Sequence, residues 1–213
     1  MQAPDELAAR GLSGKRGHAT LFSEVAFTVG RGEALVVTGP NGSGKTTLLR
    51  MLAGLTAPAE GEIRWDRRTV QPFDRALRSA VAFNGHLTAL KDELTAEENL
   101  TAWMALDDRA PDARDVERAL ADVALERRRR LPVRVLSQGQ RRRIGLARLH
   151  LIRRPLWILD EPLTALDAEG VEVLRRLLGS HLDGGGVCVA ASHQPLPIAV
   201  ERERALVLAR ASE

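Results

Sequence analysis

GPNGSGKT, residues 39–46, has the spacing glycine, four residues, glycine, lysine, hydroxyl. Residue types in that order suit one task, which is to wrap the terminal phosphates of a nucleotide. Gly39, Gly42 and Gly44 let successive backbone N–H groups curl around phosphate oxygens. Lys45 brings a cation to the terminal phosphates, and Thr46 places a hydroxyl for Mg²⁺. Pro40, Asn41, Ser43 and Thr47 complete the candidate phosphate-binding set. A glycine-rich turn with no ligand would account for the glycines but leave the lysine unexplained.

LWILDEP, 156–162, delivers Asp160 and Glu161 at the end of an apolar run. Two acids just past a buried strand are costly unless something cationic meets them. Asp160 fits a second Mg²⁺ contact through water, and Glu161 fits the general base that polarises the attacking water. Standing alone, the same residues are a strand-to-turn exit. LSQGQ, 136–140, precedes a helical run rich in arginine. Ser137 reads as the N-cap of that helix. A hydroxyl, a glycine and a helix N-terminus also make an anion site, so two copies could each present this element to the other's nucleotide, head to tail.

These groups need elements to hold them. LFSEVAFTV (21–29), ALVVTG (34–39), EIRW (62–65), AVAFN (80–84), LWILD (156–160), VCVAAS (187–192) and ALVLA (205–209) read as strands. Helical patterns run over 44–55, 95–125 with a break at Pro111, 138–152 and 168–182. Strands alternating with helices predict an α/β fold with a mostly parallel sheet and an antiparallel N-terminal β part. The stretch from 89 to 152 lacks a convincing strand. It is expected to be a helical lobe inserted into a single domain whose core is 1–88 and 153–213.

The 213 residues carry 31 Lys and Arg against 28 Asp and Glu, a net charge of +3. Lysine occurs only at Lys15, Lys45 and Lys91, and most arginines lie near acids. Solvated helix faces explain that pattern better than a nucleic-acid surface, so no nucleic acid is expected. The lone Cys188, inside VCVAAS, reads as a small core residue of a reducing compartment. MQAPDELAAR has neither a basic nor an apolar leader region, and no apolar run is long enough to cross a bilayer. Membrane association is therefore expected only through partners.

GPNGSGKT, LSQGQ, LDEP, ALD (165–167) and His193 stand in the order and spacing of ABC-type ATPases, and the resemblance covers essentially the whole chain. It implies a P-loop NTPase fold, ATP and Mg²⁺ as ligands, and a head-to-tail homodimer closed on ATP. Ser137, Gly139 and Gln140 would then contact ATP held by the other copy, and Asp167 would lie in a loop crossing the dimer interface. His193 would touch the γ-phosphate and the attacking water. Its place at the end of an apolar strand, where α/β folds bind ligands, agrees with this. Otherwise it is a surface histidine.

FNGHLTALKDELTAEENL (83–100), LSQGQRRRIGLARLHL and SHQPL look more narrowly like the ATP-binding subunits of the cytochrome c biogenesis (Ccm) haem exporters. This likeness implies integral membrane exporter subunits as partners and a place on the cytoplasmic face of the inner membrane. It puts His86 at the coupling loop, where most ABC ATPases carry glutamine; the plain alternative is a histidine capping a loop. ATPases of other exporters, soluble ABC ATPases acting on nucleic acid, and a regulatory module without turnover are the competing classes. The chain departs from the ABC pattern in one respect. GLSGKRGHATLF has no Tyr or Trp before Phe22 to stack on adenine, which leaves Arg16 or His18 to cover the base.

Overall fold

The computed structural model describes residues 6–85, 89–107 and 112–209. They divide into two compact units, one of 1–85, 154–162 and 179–213, the other of 86–153 and 163–178.

The first unit holds two sheets. Strands β1 (Glu6–Arg16), β2 (Ala19–Gly30), β4 (Glu60–Trp65) and β5 (Arg68–Val70) form an antiparallel sheet in the order β2-β1-β4-β5. Strands β3 (Ala34–Thr38), β6 (Val81–Asn84), β7 (Leu156–Asp160), β8 (Val187–Ala191) and β9 (Glu203–Val207) form a parallel sheet in the order β6-β7-β8-β3-β9. Every residue of β7 and β8 is buried. That is why their sequences are continuous apolar runs with no alternation. Helix α1 (Lys45–Leu52) follows β3 and buries Leu48, Leu49, Met51 and Leu52. These side chains join Leu35, Val37, Ile158, Val189, Ile63 and Trp65 in one core that both sheets share.

Several elements depart from the sequence expectation, among them β5, which was not expected. β1, ELAARGLSGKR, was not expected because it lacks β-branched and aromatic residues and is bent at Gly11 (φ 59°). Pairing with β2 on one side and β4 on the other holds it extended. The short helix α2 (Arg75–Ala80) precedes β6; Asp74 caps it, accepting from the N–H groups of Ala76 and Leu77. The last strand begins at Glu203, two residues earlier than expected, because its register follows β3 (Ala34 opposite Glu203).

In the second unit, α3 (Ala96–Leu106), α4 (Ala113–Asp122) and α5 (Gln138–Ile152) pack together. Thr95 and Glu98 form a capping box at the start of α3. The unit also takes in 163–178, which the sequence reading assigned to the core. Nearly buried Arg143 of α5 ties this segment to the helices. It pairs with Glu169 (2.7 Å) and Asp167 (3.6 Å) at the start of α6 (Ala168–Asp183). A buried guanidinium without those carboxylates would carry a desolvation cost of several kcal/mol.

Candidate functional site

The candidate phosphate-binding loop, 39–46, joins β3, which lies between β8 and β9, to α1. Gly39, Gly42 and Gly44 have φ of 144°, 84° and 95°. These are left-handed or beyond, which side-chain-bearing residues rarely adopt. At Gly44 a Cβ would lie 2.8 Å from the Phe22 ring and 3.0 Å from Leu21. The loop therefore rests directly on β2. Phe22 is 2% exposed and its ring also lies over Gly14, where a Cβ would sit 2.5 Å from it. The aromatic nearest the loop is thus a floor beneath it and is not available to a base. Arg16 and His18 lie at the exposed tip of the β1–β2 hairpin, around Gly17 (φ 61°).

No side chain caps α1. Its first N–H groups face the loop with the positive end of the helix dipole behind them. The Ser43 hydroxyl is fully buried and has no hydrogen-bond partner. An uncapped helix start beside an orphaned buried hydroxyl fits a ligand rich in acceptor oxygens, as a triphosphate is. Lys45 Nζ donates to the carbonyls of Gly39 (2.8 Å) and Pro40 (3.3 Å), so its ammonium lies across the same loop.

The neighbouring parallel strands bring the acids. β7 pairs with β8, which pairs with β3. Asp160, last residue of β7, is 4% exposed, and its Oδ2 accepts from Thr46 Oγ1 at 2.9 Å. The two expected Mg²⁺ contacts are therefore in touch across 114 residues of sequence. Both are hard oxygen donors, the kind Mg²⁺ takes alongside phosphate and water. Glu161 has φ 51°, and its N–H donates to Ala191 O (2.9 Å) at the end of β8. That backbone turns the Glu161 carboxylate to within 3.4 Å of His193 Nε2, beyond the end of β8. Lys45, Thr46, Asp160, Glu161 and His193 thus gather at the C-terminal ends of three adjacent strands.

The other expected residues lie in the second unit. Ser137 Oγ accepts from the Gln140 N–H (3.2 Å), and Gln140 Oε1 accepts from the Ser137 N–H (3.1 Å). The N-cap reading of Ser137 is what the described geometry shows. At Gly139 a Cβ would lie 2.9 Å from Ala165 O, so the loop leading to Asp167 runs against the first turn of α5. Asp167 Oδ1 accepts from the Gly170 N–H (2.9 Å) and caps α6. His86 lies outside the described residues. Sequence reasoning missed Arg143, Gly14 and the floor role of Phe22. The spacing of Asp167 and Glu169, two carboxylates at a helix start, was the one available sign that a cation sits nearby.

Residues 22–164 match the family model described as "ABC transporter". The cytochrome c biogenesis ATP-binding export protein CcmA of Nitrosomonas europaea is 46% identical over 202 residues, covering 95% of each chain. The protein of the same name from Pseudomonas aeruginosa is 46% identical over 90% of this chain and 95% of its own. Among solved structures, an ATP-binding cassette captured as a dimer after hydrolysis, bound to ADP and phosphate, superposes with a TM-score of 0.77 at 26% identity, covering 88% of each chain. An ABC transporter ATP-binding protein from Pyrococcus furiosus superposes at 0.79 and 24% identity over 94% of this chain and 97% of its own, which supports the fold.

Proposed function

This chain belongs to the ABC transporter family, and on that footing we propose that it is the ATP-hydrolysing subunit of an exporter complex serving cytochrome c biogenesis, in haem export or haem-chaperone release. The observation that carries the catalytic part is the meeting of Thr46 with Asp160 and of Glu161 with His193 on adjacent strand ends. The names of relatives 44–50% identical over most of the chain support the cytochrome c part.

Residues 39–47 hold the phosphates of ATP through backbone N–H groups, the Lys45 ammonium and the Ser43 hydroxyl. Thr46 and Asp160 would hold Mg²⁺, which would supply positive charge to neutralise the phosphate oxygens. The Glu161 carboxylate orients the attacking water and takes its proton. His193 stands beside that carboxylate, where it would touch the γ-phosphate and the attacking water. Two copies close head to tail on ATP. Ser137, Gly139 and Gln140 of each meet the nucleotide of the other, and Asp167 lies in the loop at their interface; the dimeric form of the related cassette supports this. Arg16 or His18 covers the base.

Among the described residues no helix is long and apolar enough to cross a membrane. We therefore assign membrane attachment, on the cytoplasmic face of the inner membrane, to integral exporter subunits. His86 is the proposed reporter between the nucleotide and those subunits. The test is genetic and biochemical together. Deleting the chain should abolish c-type cytochromes, wild type should restore them, and Lys45→Ala should fail to restore them while losing ATP turnover in vitro. Normal cytochrome yield in the deletion strain would end the export assignment. Undiminished turnover in Lys45→Ala would end the ATPase assignment.

A further inference from the structure

Ser192 lies between β8 and His193 and is 1% exposed. Its hydroxyl donates to the Gln194 carbonyl (2.7 Å) and accepts from the Gln194 N–H (3.1 Å). Its own N–H donates to Val37 O at 3.3 Å, in the strand that leads to the phosphate-binding loop. One residue earlier, Ala191 O accepts from the Glu161 N–H at 2.9 Å. The backbones carrying Glu161, His193 and the loop are therefore bonded in series at the C-terminal ends of their strands.

His193 itself has little to pack against, with a side chain 53% exposed. Its Nε2 lies 3.4 Å from Glu161 Oε1. The turn 192–194 sets where the His193 Cα–Cβ bond starts, and the side chain that closes this turn is the Ser192 hydroxyl. Both halves of that hydroxyl are used, one as donor and one as acceptor. A buried hydroxyl fully satisfied within two residues is a local lock on backbone geometry.

We infer that Ser192 is a positioning residue for ATP hydrolysis: its hydroxyl fixes the turn that aims His193 at Glu161. The inference rests on the reading of Glu161 and His193 as the hydrolytic pair. Gln194 is exposed, so water can take up its N–H and carbonyl when the hydroxyl is removed. Ser192→Ala is accordingly expected to fold with wild-type thermal stability and to let the His193 ring wander. Misplacement of a reacting group by an ångström costs up to about a hundredfold in rate; for one loosened turn we expect a loss of about tenfold in kcat, with KM for ATP unchanged.

The test measures kcat and KM for ATP in wild type, Ser192→Ala, Ser192→Thr, His193→Ala and the Ser192→Ala/His193→Ala double variant. Ser192→Thr, which keeps the hydroxyl, should restore most of the rate. In the His193→Ala background, Ser192→Ala should change nothing further, because residues acting through one another are not additive. A second readout is the proton NMR signal of His193 Cε1, assigned by its loss in His193→Ala. It should shift in Ser192→Ala and return in Ser192→Thr. Ser192→Ala turning over as fast as wild type while His193→Ala is slow would overturn the inference alone. So would an equal loss from Ser192→Ala in both backgrounds. A His193→Ala protein as fast as wild type would overturn it together with the reading it rests on.

Discussion

Glu161 holds a backbone conformation, φ 51°, that costs a β-carbon-bearing residue about 1 kcal/mol or more. The fold sustains it through the Glu161 N–H bond to Ala191 O and the fully buried strands on either side. Placing strain on the residue read as the general base is consistent with a carboxylate aimed by its main chain. Glu161→Gln keeps the shape and removes the base. It should bind ATP, lose turnover by about a hundredfold or more, and accumulate as an ATP-bound dimer, seen by gel filtration. His181 makes a different residue-scale case. It stacks on Trp157 (centroids 4.0 Å, planes 11° apart), and its Nε2 lies 3.1 Å from Val187 O. A Cβ on Gly186 would strike the His181 ring at 2.2 Å, so that glycine is what makes room for it. Burial pushes the imidazole down to about 4 from 6.5, against the opposing hydrogen bond to Val187. The folded chain therefore holds a neutral ring that the unfolded chain protonates first. The stability this represents is complete above about pH 6.5 and is lost as pH falls toward 4. Between pH 7.5 and 5 the loss should be about 2 kcal/mol. Urea midpoints should show it in wild type and show it absent from His181→Phe.

At the scale of elements, α5 does two things with one turn. Ser137 and Gln140 close its N-terminus as a capping box, worth about 1 kcal/mol. Gly139 lets the 163–167 loop lie against the same turn, since a Cβ there would come within 2.9 Å of Ala165 O. Arg143, one turn further on, fastens Asp167 and Glu169. The close approach at Gly139 and the pairing of nearly buried Arg143 with two exposed carboxylates both hold the segment that carries Asp167. Gly139→Val should push this loop away without unfolding the helix. Expected are lowered ATP turnover and faster hydrogen exchange of amides near Gly170, whose N–H Asp167 accepts. Unchanged exchange there would mean that the loop does not depend on Gly139. The uncapped start of α1 is the contrast: α3, α4 and α5 each have a side-chain cap, whereas α1 has none, and it is the helix read as meeting phosphate.

At the scale of the whole molecule, the proposal needs two copies. Phosphate loop and acids lie in one unit, and Ser137 and Gly139 lie in the other. Head-to-tail pairing makes a specific demand on mixed dimers that carry Ser137→Arg on one chain and Lys45→Ala on the other. One composite site is then doubly damaged and the other intact, so about half of wild-type turnover should survive, as expected for independent sites. Activity near zero would mean that Ser137 serves its own chain's nucleotide. The core tolerates this division of labour because its chemistry is confined to strand ends. Cys188, inside β8, is fully buried and its thiol is pushed up to about 12, so it packs and does not react.

Much of this was readable without coordinates. The glycine turn before α1, the acids at the end of β7 and the helices between β6 and β7 each rest on local rules, in which glycine spacing, continuous apolar runs and helical periodicity carry the information. The chain order of the motifs pointed to the family by itself. What local rules could not supply was decided by pairing between distant segments. β1 is extended because β2 and β4 grip it, although its own residues prefer otherwise. Residues 163–178 group with the helical unit, to which nearly buried Arg143 pairs their carboxylates. Phe22 lies beneath the phosphate loop because Gly14 and Gly44 leave room for its ring. Thr46 meets Asp160, and Glu161 meets His193, because the strand order β7-β8-β3 places their ends side by side. Sequence spacing carries the residue types a reaction needs; the order of strands in the sheet, a property of long-range hydrogen bonding, determines which of them touch.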